Sequence, residues 1–326
     1  MVRTDRTRRT FLKAALAGLV ALGAAWSALP TGAAAGVHDG SADKPLRVML
    51  IPADGGTEDG TKADFVPIFN AMSKQSGLKF DIKVGQSYGA VVEAMSNDVA
   101  DVAFFGAVSY MQAKKRGGAE LLAVAVSKGQ SIYYSGIFVP ADSRAQSLTD
   151  LKGMTVAFGD VSSTSSFNYP MAMLIAAGLD PVKDLGGIVL AGSHANSLKA
   201  LGEGQVEACA ASFDSFEKAV KQGAVDATKI RVLAKSEPIP HPPLAMNPRL
   251  APEVKAKLRE SLATVHKAEG VTPDMVRGYG GGKVDRYDTT FPESEFLLTA
   301  SKLAAVTDEL KAEVLQKASE AKSSAK

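Results

Sequence analysis

The chain has little with which to build covalent or metal-centred chemistry. Cys209 is the one cysteine in 326 residues, which excludes an intramolecular disulfide, a Cys-x-x-Cys motif and a thiolate metal site. Within the apolar run 208–211, Cys209 reads as a small buried side chain, with a reactive thiol as the other reading. Four histidines, His38, His194, His241 and His266, show neither His-x-His nor His-x-x-x-His spacing, so no metal and no cofactor are expected. There is no Walker loop, and residues 278–282, although glycine-rich, do not lie between a strand and a helix of a βαβ unit. They read as a loop.

Charge is also nearly absent as a net quantity. The formal balance is +2, but the first 35 residues carry Arg3, Arg6, Arg8, Arg9 and Lys13 against Asp5 alone, a local +4 that leaves 36–326 at −2. Nothing in that remainder suggests a nucleic-acid partner. Hydrophobic residues at 46% and charged residues at 22% are ordinary globular proportions. The length is enough for a sizeable core in one or two domains.

What is present at the N-terminus is an export signal. Thr7-Arg8-Arg9-Thr10-Phe11-Leu12-Lys13 precedes an Ala-rich apolar run to Pro30, and Ala33-Ala34-Ala35 supplies a small-residue cleavage site. The paired arginines resemble the twin-arginine signal, which exports proteins already folded. The run is too short and too weakly apolar for a membrane anchor, and no cysteine follows it for lipid attachment. Residues 1–35 are therefore expected to be a cleaved signal peptide, and the mature protein to be periplasmic.

Downstream, short apolar runs alternate with segments of helical spacing. Strands are expected at 46–51, 80–84, 102–105, 121–126 and 135–139, with helices from Phe65, Tyr88 and Tyr110 between them. The pattern repeats in kind with strands at 155–158, 187–190, 208–211 and 230–233. Strand–helix alternation of this sort indicates an α/β fold with mostly parallel sheets, and two units of similar size argue for two lobes. From Pro243 onward the chain reads as mainly helical, with helices at 252–266 and 293–317 and a frayed tail at 319–326.

The segment that carries most chemical information is Gly159-Asp160-Val161-Ser162-Ser163-Thr164-Ser165-Ser166, between a strand and a helix. Four hydroxyl residues, 162–165, crowd a helix N-terminus, where the first N–H groups lack intrahelical partners and the macrodipole is positive. Such a terminus binds anions, and neutral donors can surround a tetrahedral oxyanion without a full ion pair. Simple N-capping would need only one of them. His194 also follows a strand and precedes a helix, the place where ligands gather in α/β folds, and reads equally as structural. Tyr88 and Tyr133 can donate phenol protons or simply pack.

Together these segments resemble the periplasmic phosphonate-binding proteins of phosphate/phosphite/phosphonate ABC importers. The likeness runs from about Leu46 to Leu244 and rests on five ordered motifs. They are Gln86-Ser87-Tyr88, Asp101-Val102-Ala103-Phe104-Phe105-Gly106, Gly159-Asp160-Val161-Ser162-Ser163-Thr164-Ser165, Gly192-Ser193-His194 and Ser236-Glu237-Pro238-Ile239-Pro240. The resemblance implies a two-lobed type II periplasmic binding protein fold. Residues 45–139 would open lobe 1, 140–240 would form lobe 2, and 241–326 would return to lobe 1 with the C-terminal helices. Crossing segments would lie near Val139 and Pro240.

The resemblance further implies that Ser163, Thr164, Ser165 and His194 hold the oxyanion while Tyr88 and Tyr133 close over it. Asp214 stands where a carboxylate for a ligand amine is expected, or is a solvated helix-start residue. The position of a second carboxylate is taken by Pro242, which cannot pair with an ammonium and turns the expectation toward phosphite, methylphosphonate or phosphate. Ser166 replaces a family glycine. The implied partners are a small oxyanion and an ABC permease, with the protein a monomer and not an enzyme. Two alternatives stay open: a periplasmic oxyanion sensor, for example of arsenite, signalling to a membrane kinase, and an exported enzyme, for which no nucleophile–base pair is evident.

Overall fold

A computed structural model of the chain describes residues 36–52 and 58–324; the expected signal peptide lies outside them. The chain begins with β1 (Leu46–Leu50), α1 (Glu58–Ser76), β2 (Phe80–Val84), α2 (Tyr88–Ser96), β3 (Val102–Phe104), α3 (Ala107–Lys115) and β4 (Glu120–Val126). The middle of the chain runs through β5 (Ile132–Tyr133), β6 (Ser135–Pro140) and β7 (Thr155–Phe158). A π-helical turn (Thr164–Asn168) then leads into α4 (Tyr169–Ala176), α5 (Pro181–Asp184), β8 (Gly187–Leu190), α6 (His194–Gly202), β9 (Ala208–Ser212), α7 (Phe213–Lys221) and β10 (Ile230–Lys235). The last part holds β11 (Ile239–Pro240), β12 (Pro243–Met246), α8 (Pro252–Thr264), β13 (Arg286–Asp288), α9 (Ser294–Lys302) and α10 (Asp308–Ser324).

Two mixed sheets result. The first has the order β13-β4-β12-β3-β1-β2 and the second β10-β6-β9-β7-β8. In each, the strands that feed helices pair in parallel, β1 with β2 and β3, and β7 with β8 and β9. The strands arriving from elsewhere pair antiparallel. Helices α2, α3, α4, α6 and α7 thus all start near the C-terminal ends of parallel or central strands, where α/β folds gather their ligands. Serines cap three of them: Ser87 Oγ accepts from Ala90 N–H, Ser193 Oγ from Asn196 N–H and Ser212 Oγ from Ser215 N–H.

The lobes differ from the sequence expectation in four places. The strand Ser135–Pro140 sits in the second sheet between β10 and β9, so the first crossing precedes it instead of lying near Val139. Buried on both faces, that strand carries no alternation that ties it to either sheet. The two crossing segments pair as a short antiparallel ladder, Ile239 opposite Tyr133 and Pro240 opposite Ile132. After it, Pro243–Met246 is a strand at the centre of the first sheet, not the start of a helical region; Pro243 is tolerated because it is the first residue of its strand.

The expected helix 293–317 is divided into α9 and α10, and α10 continues through the supposed tail to Ser324. These two helices part company. Phe296 of α9 joins the first lobe's core, whereas Val306, Val314 and Ala318 join the second lobe's core beside Ile188 and Leu185. The spacing of Leu310, Val314 and Ala318 puts them on one face of α10, and Lys317 adds hydrogen bonds to the Val182 and Leu185 carbonyls. The return of both C-terminal helices to lobe 1 is therefore corrected: α10 seals lobe 2.

Candidate functional site

The Ser/Thr segment follows β7 directly. Ser163 caps the π-helical turn, its Oγ accepting from Ser166 N–H at 3.2 Å and from Ser166 Oγ–H at 2.7 Å. Asn168 Nδ2 donates back to the Val161 and Ser163 carbonyls, and Ser135 Oγ donates to Ser165 O at 2.6 Å. Ser163, Thr164, Ser165 and Ser166 are all buried, while Ser162 lies further out. With both acceptor positions of Ser163 filled, its own proton is left to donate. Ser166 reaches this place because residue 159 is glycine: a Cβ there would lie 2.1 Å from Ser166 Oγ.

His194, the first residue of α6, is fully buried. Its Nδ1 accepts from Ser212 N–H at 2.9 Å, which places the proton of a neutral ring on Nε2. Nε2 lies 2.8 Å from Tyr279 Oη and 3.5 Å from Ser163 Oγ. Tyr279 Oη in turn lies 2.6 Å from Tyr88 Oη. A line of hydrogen bonds therefore runs from the Ser212 amide through His194 and Tyr279 to Tyr88. Burial is the main cause that pushes the Tyr88 and Tyr133 phenols above their ordinary range, with the Asp160 charge adding to it for Tyr88 and the Asp214 charge for Tyr133. Both stay protonated and able to donate. Tyr133 lies beside the Ser165 and Thr164 hydroxyls, with its ring centroid 6.3 Å from that of Tyr279.

Two contacts join the lobes at helix N-termini. Thr164 Oγ1 accepts from Val108 N–H in the first turn of α3 at 2.9 Å, across a gap kept narrow by Gly106, where a Cβ would lie 3.1 Å from that oxygen. Asp160 accepts from Tyr88 N–H at the start of α2 at 3.2 Å, and from Ser162 N–H in its own loop at 2.7 Å. Burial raises the Asp160 carboxyl above its ordinary value, while the two amides act the other way. Lys218 of α7 and Asp64 of α1 add an ion pair at 3.2 Å.

The structure thus brings Tyr88, Ser163 and His194 into one connected group, and sets Tyr133, Thr164 and Ser165 together beside it. Asp214 is half-buried in the first turn of α7, close enough for its charge to act on Tyr133. Three participants escape the sequence reading. Tyr279 comes from the glycine-rich loop, Asp160 binds a helix of the other lobe, and Ser166 fixes Ser163. Gly85-Gln86-Ser87-Tyr88-Gly89 also escapes it, a run with the spacing of a hydrolase nucleophile elbow. Ser87 there serves as the α2 cap, its Oγ accepting from Ala90 N–H at 3.1 Å. Cys209 is buried in β9, packed in an apolar cluster with Phe138, Leu198 and Ala211, its thiol pushed up by burial. Among the described residues no group of three or more His, Cys, Asp or Glu is placed to hold a metal ion.

Residues 56–283 match the family described as ABC transporter, phosphonate, periplasmic substrate-binding protein. The chain belongs to this family. A phosphate-import protein, PhnD, of Mycolicibacterium smegmatis is 30% identical over 229 residues, 67% of this chain and 71% of the relative. The phosphonates-binding periplasmic protein of Escherichia coli is 26% identical over 226 residues, covering 68% of this chain and 66% of that protein. Among solved structures, a binding protein component of an ABC phosphonate transporter from Pseudomonas aeruginosa aligns with a TM-score of 0.67 at 22% identity, covering 86% of this chain and 99% of that one. That likeness shows the type II periplasmic binding protein fold. As a member of the family, the protein is a periplasmic binding component that serves an ABC transporter, and it is not an enzyme.

Proposed function

We propose that the protein captures a phosphorus oxyanion (phosphate, phosphite or a small phosphonate) between its lobes and presents it to an ABC permease. The observation that carries this reading is the buried turn of Ser163, Thr164 and Ser165, faced by His194 Nε2 and by two tyrosines that burial keeps protonated. Every one of these groups is an uncharged donor. An oxyanion held by several such hydrogen bonds is bound tightly yet can be released when the lobes part, since no full counter-charge must be stripped from it. The family's relatives that import phosphate and bind phosphonates support the ligand class.

Within the site the roles divide. Ser163 and Thr164 donate hydroxyl protons, because their acceptor positions are engaged by Ser166 and by Val108 N–H. His194 holds its one ring proton on Nε2, its tautomer fixed by the Ser212 amide, and shares it between Tyr279 Oη and the oxyanion. Tyr88 and Tyr133 close the cleft from the first lobe and the crossing segment. Asp214 is the one carboxylate of the set and would favour a ligand carrying a positive substituent, but Pro242 leaves it without a second. We further infer that residues 1–35 are a cleaved twin-arginine signal and that the mature protein is monomeric.

Calorimetry of the protein against phosphate, phosphite, methylphosphonate, 2-aminoethylphosphonate and arsenite tests the reading. Saturable binding of at least one phosphorus oxyanion is expected, with 2-aminoethylphosphonate weaker than methylphosphonate. No heat with any of the phosphorus compounds would refute it.

A further inference from the structure

His241 lies on the second crossing segment immediately before Pro242, where its amide donates to Ser131 O at 2.9 Å. Its ring stacks on Tyr133 with centroids 5.7 Å apart and planes 12° from parallel. Tyr133 itself stands beside the Thr164 and Ser165 hydroxyls, so the imidazole is one ring away from the turn proposed to hold the oxyanion. It is 6% exposed, and its Nε2 has no hydrogen-bond partner among the described residues.

An unpaired buried nitrogen is costly, and the stacking does not call for one. An apolar ring of similar shape would cover Tyr133 equally well without a polar atom to desolvate. Burial also holds the ring's pKa down to about 4, so at neutral pH it carries one donor and one acceptor nitrogen and no charge. Such a group suits a hydroxyl, with which it can pair in either direction. To an ammonium it offers an acceptor but no counter-charge, and Pro242 beside it supplies no carboxylate. The Ser/Thr turn and His194 account for the oxygens of a phosphonate head. What they leave unaccounted for is the fourth substituent on phosphorus.

We propose that His241 is a specificity-determining residue, its Nε2 pairing with a hydroxyl on that fourth substituent, as in hydrogen phosphate or a hydroxyalkyl phosphonate. This deepens the function proposed above and rests on it. The site then prefers P–OH and P–CH2OH ligands over P–H and P–CH3 ligands of similar size.

The test is calorimetry of the wild-type protein, His241→Phe and His241→Asn with phosphate, hydroxymethylphosphonate, phosphite and methylphosphonate. His241→Phe is expected to weaken the two hydroxyl-bearing ligands by roughly 3- to 12-fold, the worth of one hydrogen bond, and the other two by less than about twofold. His241→Asn is expected to retain part of the preference. Equal effects on all four ligands, or none, would overturn the assignment while leaving the oxyanion function intact. Silence of the wild-type protein toward all four would overturn that function and the assignment with it. Should the variants fold poorly, the imidazole nitrogen resonances of the wild-type protein give a second reading. His241 Nε2 is expected to shift with hydroxymethylphosphonate and to stay in place with methylphosphonate; a resonance unmoved by the hydroxyl ligand would refute the proposal.

Discussion

Thr164→Val removes an oxygen that joins the two lobes and that the proposed site uses again. Thr164 Oγ1 accepts from Val108 N–H across the lobe boundary at 2.9 Å, which leaves its proton to donate into the cleft. Valine has nearly the same shape, so the side chain remains buried and the loss is confined to hydrogen bonding. A hydrogen bond to a charged oxyanion is worth about 1.5–3 kcal/mol, a weakening of roughly 10- to 150-fold in Kd. The orphaned Val108 N–H adds to that loss, because it is unpaired in the arrangement in which the lobes meet. Thr164→Ser keeps the oxygen and gives up one methyl group, about 0.8 kcal/mol of burial. Calorimetry with the wild-type protein's best phosphorus ligand, beside urea denaturation of the free protein, separates the two contributions. A Thr164→Val protein that unfolds like the wild type and binds within about twofold of it would refute both the hydroxyl's orientation and its role; the expected loss exceeds one hydrogen bond of the weakest kind.

Two further changes probe the frame around this site. Gly159→Ala would drive a Cβ to 2.1 Å from Ser166 Oγ and should destabilise the fold by about 1–3 kcal/mol through overpacking. Ser166→Gly in the same chain should recover much of that, so a double-mutant cycle by urea denaturation that comes out additive would argue against the contact. Protonation of His241 supplies a pH signature. Its pKa falls from 6.5 to about 4 on burial, so between those values the unfolded chain binds more protons than the folded one. The contribution is full above pH 6.5 and is lost as pH falls through 4, a change of up to about 3 kcal/mol. His241→Asn should flatten the pH dependence of stability in that window, and an unchanged slope would show that other groups set it.

Much of the architecture was legible because most strands are short apolar runs bounded by turn residues, and three of the helices between them, α2, α6 and α7, begin at a serine cap. The failures have a common physical origin in contacts remote along the chain. Ser135–Pro140 is apolar on both faces and could belong to either sheet; only its pairing with β9 and β10 decides. Pro243–Met246 is four residues long and opens on a proline, yet its place between β3 and β4 makes it a central strand. At the site, Ser163, Thr164 and Ser165 announce themselves as too many hydroxyls for one cap. Tyr279 could not be found in this way. Its significance comes from His194, 85 residues earlier, and Tyr88, 191 residues earlier, and its own neighbours are four glycines that advertise only a turn. Asp160 sits within the Ser/Thr motif, but a carboxylate that serves another lobe's helix looks in sequence like any loop aspartate.

The position of α10 has a consequence for how the protein is made. Val314 and Ala318 complete the apolar interior of the second lobe, and they belong to a helix of 17 residues that follows β13. During synthesis every strand of both sheets emerges before them. A nascent chain that has not yet released α10 therefore holds all the groups of the cleft in a lobe whose back is still open to water. The cleft can be spelled out before the lobe behind it is mechanically secure.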